Sequence, residues 1–149
     1  MKTVGWKEVV DFPDFGLYRI PAKIDTGAKT SVLHCKSIEL VKIKRKHFVR
    51  FTPLDENFGG HGSVYLLPFH GERKIKNSFG TEENRVIVKT HVYIFNEPFE
   101  IEISLRNRSG MEFPVLLGRS FIRKKFLVDV SKSNLSKKLN VTKPIKSLK

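Results

Sequence analysis

Almost the whole chain reads as β-strand: short runs rich in Val, Ile, Phe and Tyr are separated by clusters of Gly, Pro, Asn and Asp. This pattern predicts strands over residues 4–10, 18–24, 38–43, 48–51, 64–69, 85–95, 99–105, 115–117 and 126–130. In Phe99-Glu100-Ile101-Glu102-Ile103 the alternation assigns the apolar residues to a buried face and both acids to the opposite one. Asn96-Glu97-Pro98 separates that run from Val92-Tyr93-Ile94-Phe95 and reads as the turn of a hairpin. The helix expected is a turn or two over 120–125, beyond Gly118. The fold class is all-β.

A chain of 149 residues suits one domain that buries its core without disulfide or metal staples. A 40% apolar share argues against disorder. Cys35 is the single cysteine. It cannot form an internal disulfide or build a multi-cysteine zinc site, reads as a small buried residue, and leaves the cytoplasm as the expected compartment. Residues 1–14 lack an apolar run of signal-peptide length, and no stretch approaches the roughly 20 apolar residues that span a bilayer, so no membrane association is expected.

The formal charge of +13 predicts attraction to something acidic. Roughly half of it sits in residues 131–149, where Lys132, Lys137, Lys138, Lys143, Lys146 and Lys149 occur without an acid. The expected organisation is therefore a folded domain over 1–130 and a basic, flexible tail over 131–149. Two readings stand for the tail lysines: solvated charge, or an electrostatic arm for RNA or an acidic protein.

Asp25-Thr26-Gly27-Ala28 follows the apolar run ending at Ile24. An acid at a strand end, followed by a hydroxyl and a glycine, is a compact device for aiming a carboxylate, because glycine permits a tight turn and close approach. Alone, the tetrapeptide also fits an ordinary surface turn. Val115-Leu116-Leu117-Gly118-Arg119, further downstream, narrows the choice. The pair resembles the retropepsins, in which an Asp-Thr-Gly-Ala loop is followed by an apolar-apolar-Gly-Arg segment that passes beneath the loop and fixes it. Val4-Gly5-Trp6-Lys7-Glu8, Ala22-Lys23-Ile24 ahead of Asp25, Lys29-Thr30-Ser31, and Glu83-Asn84-Arg85-Val86-Ile87 extend the likeness. So do residues 101–108, Met111-Glu112-Phe113-Pro114 and Phe126-Leu127-Val128-Asp129. Together they resemble a bacterial and archaeal branch labelled ATP-dependent zinc proteases and associated with ATP-grasp glutamate ligases. The likeness covers residues 4–133.

That resemblance implies a retropepsin-like acid-protease closed barrel, one lobe per subunit, with the active site at the interface of a homodimer. Asp25 is then catalytic, supported by Thr26, Gly27, Ala28, Leu117, Gly118 and Arg119. An aspartic peptidase uses two carboxylates sharing a proton, and one Asp-Thr-Gly per chain supplies half of that, so two copies are needed. A flap is expected over 74–87, turning at Ser78-Phe79-Gly80-Thr81, with Lys29, Gly80 and Arg85 as substrate-binding candidates. The branch further implies an acidic, polyglutamate-like peptide substrate and association with a ligase system. Retroviral members carry acids after Asp-Thr-Gly-Ala, whereas this chain has Lys29 and Thr30, so the pairing those acids make does not transfer. Lys29 puts positive charge beside the cleft, where it either favours acidic substrates or is simply an exposed lysine.

Zinc and ATP find no support in the residues themselves. His34, His47, His61, His70 and His91 lack zinc-ligand spacing, and no phosphate-binding glycine loop is present. No metal and no cofactor are expected. Nucleic-acid binding is the rival reading, carried by Lys42, Lys44, Arg45, Lys46 and Arg50 with Phe48 and Phe51 between them. Phe48 and Phe51 fall on opposite faces of a regular strand, so they make no common stacking platform, and the run also fits a solvated hairpin turn.

Overall fold

The computed structural model describes residues 1–76, 79–107 and 110–137. The strands are β1 (Lys2–Val4), β2 (Lys7–Phe12), β3 (Leu17–Ile24), β4 (Ser31–Ile43), β5 (Lys46–Pro53), β6 (Tyr65–Pro68), β7 (Gly71–Lys76), β8 (Glu82–Ile94), β9 (Glu97–Arg106), β10 (Val115–Leu117) and β11 (Phe126–Val128), with an α-helical turn, α1 (Arg119–Ile122), and short 3-10 turns at Pro13–Phe15 and Glu56–Phe58. The fold is all-β.

Strand pairing traces a ring in the order β10-β3-β2-β8-β9-β4, and β4 returns to β10. Short β10 closes it by lying parallel to β3 through Val115↔Ala22 to Leu117↔Ile24, and antiparallel to β4 through Val115↔Leu33 and Leu116↔Val32. The ring is only partial at the opposite seam, where β2 meets β8 through the single pair Asp11↔Tyr93. Strands β5 and β6 extend the sheet beyond β4, β7 hangs on β8 as a hairpin, and β1 pairs separately with β11 in parallel.

Apolar residues from these strands fill the barrel, and each large side chain fully buried contributes about 1.5–3 kcal/mol. Phe12, Phe15 and Phe51 are inaccessible or nearly so. Phe15 packs edge-on to Phe51 at 5.4 Å between ring centroids, while the Tyr65 hydroxyl donates to the Phe15 carbonyl at 2.9 Å. On β9, Ile101 and Ile103 are buried and Glu100 and Glu102 exposed, as the alternation predicts.

Several boundaries differ from expectation, each for a physical reason. The run 4–10 is two strands, because Gly5 turns the chain so closely against Lys132 that a Cβ would lie 2.1 Å from its carbonyl oxygen. The hairpin turn between β8 and β9 is Phe95-Asn96, not Asn96-Glu97-Pro98. Both of its residues have positive φ, 54° and 63°, the handedness that matches strand twist. Strand β4 begins at Ser31, well before the expected 38, since its first five residues are all buried and show no alternation. Strand β7 was absent from the expected set outside the flap segment.

The greatest departure concerns the expected tail. Residues 131–137 lie along the free edge of β2: Trp6 N–H donates to the Lys132 carbonyl at 2.9 Å and Asn134 N–H to the Lys7 carbonyl at 2.9 Å. The Ser136 hydroxyl accepts from Val9 N–H at 3.2 Å and lies 3.0 Å from the Val9 carbonyl. Ser136 is fully buried. This segment takes up polar groups of β2 that β8 does not reach, so the folded unit runs past residue 130. The expected tail residues 138–149 lie outside the described residues.

Candidate active site

Asp25 sits where β3 ends, half-buried, in a turn it organises itself. Its Oδ1 accepts from Gly27 N–H at 3.1 Å and its carbonyl from Ala28 N–H at 3.2 Å. From one flank the end of β10 grips the loop: Asp25 N–H donates to the Leu117 carbonyl at 2.9 Å, Arg119 N–H to Ala28 at 2.8 Å, and Ser120 N–H to Lys29 at 3.0 Å. The Gly118 N–H donates to Ser31 Oγ at 3.0 Å. Gly118 has to be glycine here, since an added Cβ would stand 2.9 Å from Ala28 O, Lys29 O and Thr30 C. The Arg119 guanidinium donates to the Thr26 carbonyl at 3.0 Å.

On the other flank, Ile24 N–H donates to the Trp6 carbonyl at 2.9 Å. Asp25 is thus held by backbone bonds from both directions, leaving its carboxylate facing a cleft of about 880 Å³. The Asp25 loop and the end of β10 give the cleft Gly27, Ala28, Lys29, Thr30, Leu116 and Arg119, and β7 covers it with Arg73, Lys74, Ile75 and Lys76. Arg85 and Arg106 complete the wall. Among the described lining residues Asp25 is the only acid, and seven are cationic.

Arg85 is buried and donates through Nε to Glu83 Oε1 at 2.7 Å, the same oxygen that Arg106 Nε approaches at 3.2 Å. Arg73 pairs with Glu102. These pairs fix guanidinium planes beside the cleft.

Of the residues singled out from sequence, Asp25, Gly27, Ala28, Lys29, Arg85 and Arg119 line one cleft. Leu117 and Gly118 lie beneath it as backbone partners. Thr26 is exposed and lines a neighbouring apolar groove with Ile122 and Arg123. Gly80 is exposed near the tip of the β7–β8 hairpin, with φ 79°, and is not part of the cleft lining; Ser78 of the expected turn lies outside the described residues. Sequence reading missed Arg73, Lys76 and Arg106 as cleft residues. They are scattered along the chain and only hairpin pairing brings them together, although the basic bias of Arg73-Lys74-Ile75-Lys76 was visible.

The other singled-out residues have structural surroundings. His34 is buried, with Nε2 3.0 Å from Asp55 Oδ2 and its ring edge-on to Phe58. Cys35 is inaccessible, and burial pushes its thiol well above the ordinary range. No group of three or more His, Cys, Asp or Glu among the described residues is placed to hold a metal ion, so the zinc of the branch label has no fitting donor set there. His61 meets the Gly16 carbonyl at 3.0 Å, tying down the loop Gly59-Gly60-His61-Gly62. In the basic run, Lys44-Arg45 is the turn between β4 and β5, Arg50 pairs with Glu39, and Phe51 is core whereas Phe48 faces the other way. No described helix is long and apolar enough to cross a membrane.

A ring closed by a short strand beneath an Asp-Thr-Gly loop, with a hairpin above it, defines a retropepsin-like fold carrying one catalytic-type aspartate loop. Comparison with known proteins agrees. Residues 3–139 match the RimB-like family, retropepsin-like aspartic endopeptidase RimB, and the chain belongs to that family. It is 32% identical over 146 residues to a probable alpha-L-glutamate ligase of Desulfotalea psychrophila, covering 91% of this chain and 32% of that protein. A probable alpha-L-glutamate ligase of Shewanella pealeana is 31% identical over 136 residues, covering 87% of this chain and 29% of its own length. The chain therefore spans about a third of these relatives. The crystal structure of Lpg0085 from Legionella pneumophila, a protein of unknown function, superimposes with a TM-score of 0.76 at 26% identity, covering 91% of this chain and 98% of that one.

Proposed function

We propose that two copies of this chain form an aspartic peptidase that hydrolyses acidic peptides. The observation that carries this reading is Asp25 itself, fixed from two flanks by backbone bonds and opening onto a roofed cleft whose other charged lining residues are all basic. Two such loops meeting on a two-fold axis bring their carboxylates about 3 Å apart, where they share one proton. One carboxylate takes a proton from water, the water oxygen attacks the scissile carbonyl, and the other carboxylic acid protonates the leaving nitrogen as the tetrahedral intermediate collapses. No covalent enzyme intermediate forms.

Lys29, Arg73, Lys74 and Lys76 supply a positive field that draws and orients acidic side chains. The relatives' name supports glutamate as the relevant acid. Since the retropepsin-like segment makes up about a third of those proteins, we assign ligase activity to the rest of their length and peptide hydrolysis to this part.

The test uses purified protein with glutamate oligomers and with casein, beside Asp25→Asn, and sedimentation across the same concentrations. Expected are a dimer and preferential cleavage of the glutamate oligomers, with Asp25→Asn slower by about 10³-fold or more. Equal turnover by the variant, or activity from a strict monomer, overturns the reading. Absence of turnover together with steeply salt-dependent RNA binding favours a non-catalytic module of the same fold.

A further inference from the structure

Glu8 is a buried carboxylate that the chemistry above does not use. Only 1% of it is accessible, yet it faces neither the cleft nor solvent. Its Oε1 accepts from Ser136 N–H and lies the same 2.8 Å from Ser136 Oγ, and its Oε2 accepts from Gly5 N–H at 2.7 Å. The two backbone donors approach opposite oxygens. A carboxylate presents acceptors in both directions, whereas an amide has to turn an NH₂ group toward one of the donors. Burying it unpaired would be costly, so its partners are part of the design of this corner.

The corner that Glu8 grips lies one step from the catalytic loop. Gly5 N–H is bound to Glu8, and two peptide units further on the Trp6 carbonyl accepts from Ile24 N–H, immediately before Asp25. Trp6 N–H in turn donates to Lys132 O, and Gly5 is packed so tightly against residues 132–133 that no side chain fits. Ser136 ties the far end of the same segment to Glu8 and Val9. Glu8 therefore joins two pieces of chain, the Gly5–Trp6 corner and residues 131–137, into one brace against the flank of Asp25 that β10 does not hold.

We infer that Glu8 is a positioning residue for Asp25, acting through the Trp6 carbonyl, with residues 131–137 as the clamp that keeps it in place. The inference rests on the peptidase reading for its kinetic consequence, and on geometry alone for its mechanical one. A loop released on one flank displaces its carboxylate, and displacements near 1 Å cost about 10²-fold in rate. Substrate binding is set by the cleft cations, which Glu8 does not touch.

The experiment compares wild type, Glu8→Gln and the milder Ser136→Ala. It measures KM, kcat per folded molecule with the folded fraction taken from denaturant titration, and native-state hydrogen exchange at the Ile24 and Ile103 amides. Expected for Glu8→Gln is a kcat lower by on the order of tenfold to a hundredfold with KM unchanged, and faster exchange at Ile24 without change at Ile103. Ser136→Ala gives the same signature, smaller, and serves if Glu8→Gln does not fold. Unchanged kcat per folded molecule, or exchange rising equally at both amides, overturns the inference and leaves Glu8 as a contributor to global stability. If the wild type shows no Asp25-dependent cleavage, the peptidase reading fails on its own, and the Ile24 exchange still decides whether Glu8 braces the loop.

Discussion

Asp25 and the hairpin above it face the same cleft, yet they are held in opposite fashions. The aspartate loop is gripped by β10 on one flank and the Gly5–Trp6 corner on the other, through backbone bonds of 2.8–3.0 Å and a contact that excludes any side chain at Gly118. Among the described residues strand β7 pairs with β8 alone, and its residues alternate between half-buried and exposed along the whole strand. On the peptidase reading proposed above, a general base has to be fixed before substrate arrives, whereas a roof has to admit a peptide and close on it. The difference in attachment is what that proposed division of labour calls for.

Three experiments sharpen or break the comparison. Gly118→Ala strikes the gripped side and has the largest effect: its Cβ meets three backbone atoms at 2.9 Å. The backbone has to shift, lowering stability by about 1–3 kcal/mol, read as a lower denaturant midpoint, and reducing kcat by about 10²-fold. A wild-type midpoint would show that the grip is looser than drawn. On the roof, the double change Lys74→Ala and Lys76→Ala removes two exposed charges from the cleft. It raises KM for glutamate oligomers by about tenfold at low salt, with the difference shrinking as salt is added and the denaturant midpoint unmoved. A fallen midpoint would make the roof as integral as the floor. The smallest effect is chemical: Cys35 on β4, buried and held in its neutral thiol form, resists iodoacetamide in the native protein, whereas a cysteine installed as Lys74→Cys reacts at once. Prompt labelling of Cys35 would mean that β4 opens readily.

How much of this was legible in the sequence depended on whether the information was local. Strand β10 was read with its observed bounds, and β9 nearly so, because one face of each meets the core and the other does not. The first half of β4 was invisible, since burial on both faces erases alternation and leaves Ser31 and His34 looking like loop residues. The Asp25 loop and its Leu117-Gly118-Arg119 support came from a motif pair, and the structure brings those residues together. Of the cationic wall only Lys29, Arg85 and Arg119 were named, as Arg73 and Arg106 join Arg85 only after three strands pair in register. Residues 131–137 are Ser, Lys and Asn apart from Leu135, a composition that advertises little burial, yet Ser136 is buried with its hydroxyl on the backbone of Val9.

The parallel pairing of β1 with β11 has a bearing on how the molecule is made. Lys2 lies beside Phe126 and Val4 beside Val128, so β1 is made long before the strand it pairs with. Contacts of such sequence separation slow folding, because loop closure has to be achieved before they contribute. Until β11 has been made, β1 has no strand to pair with and Val4 no finished core to enter, which leaves an apolar edge exposed in the nascent chain.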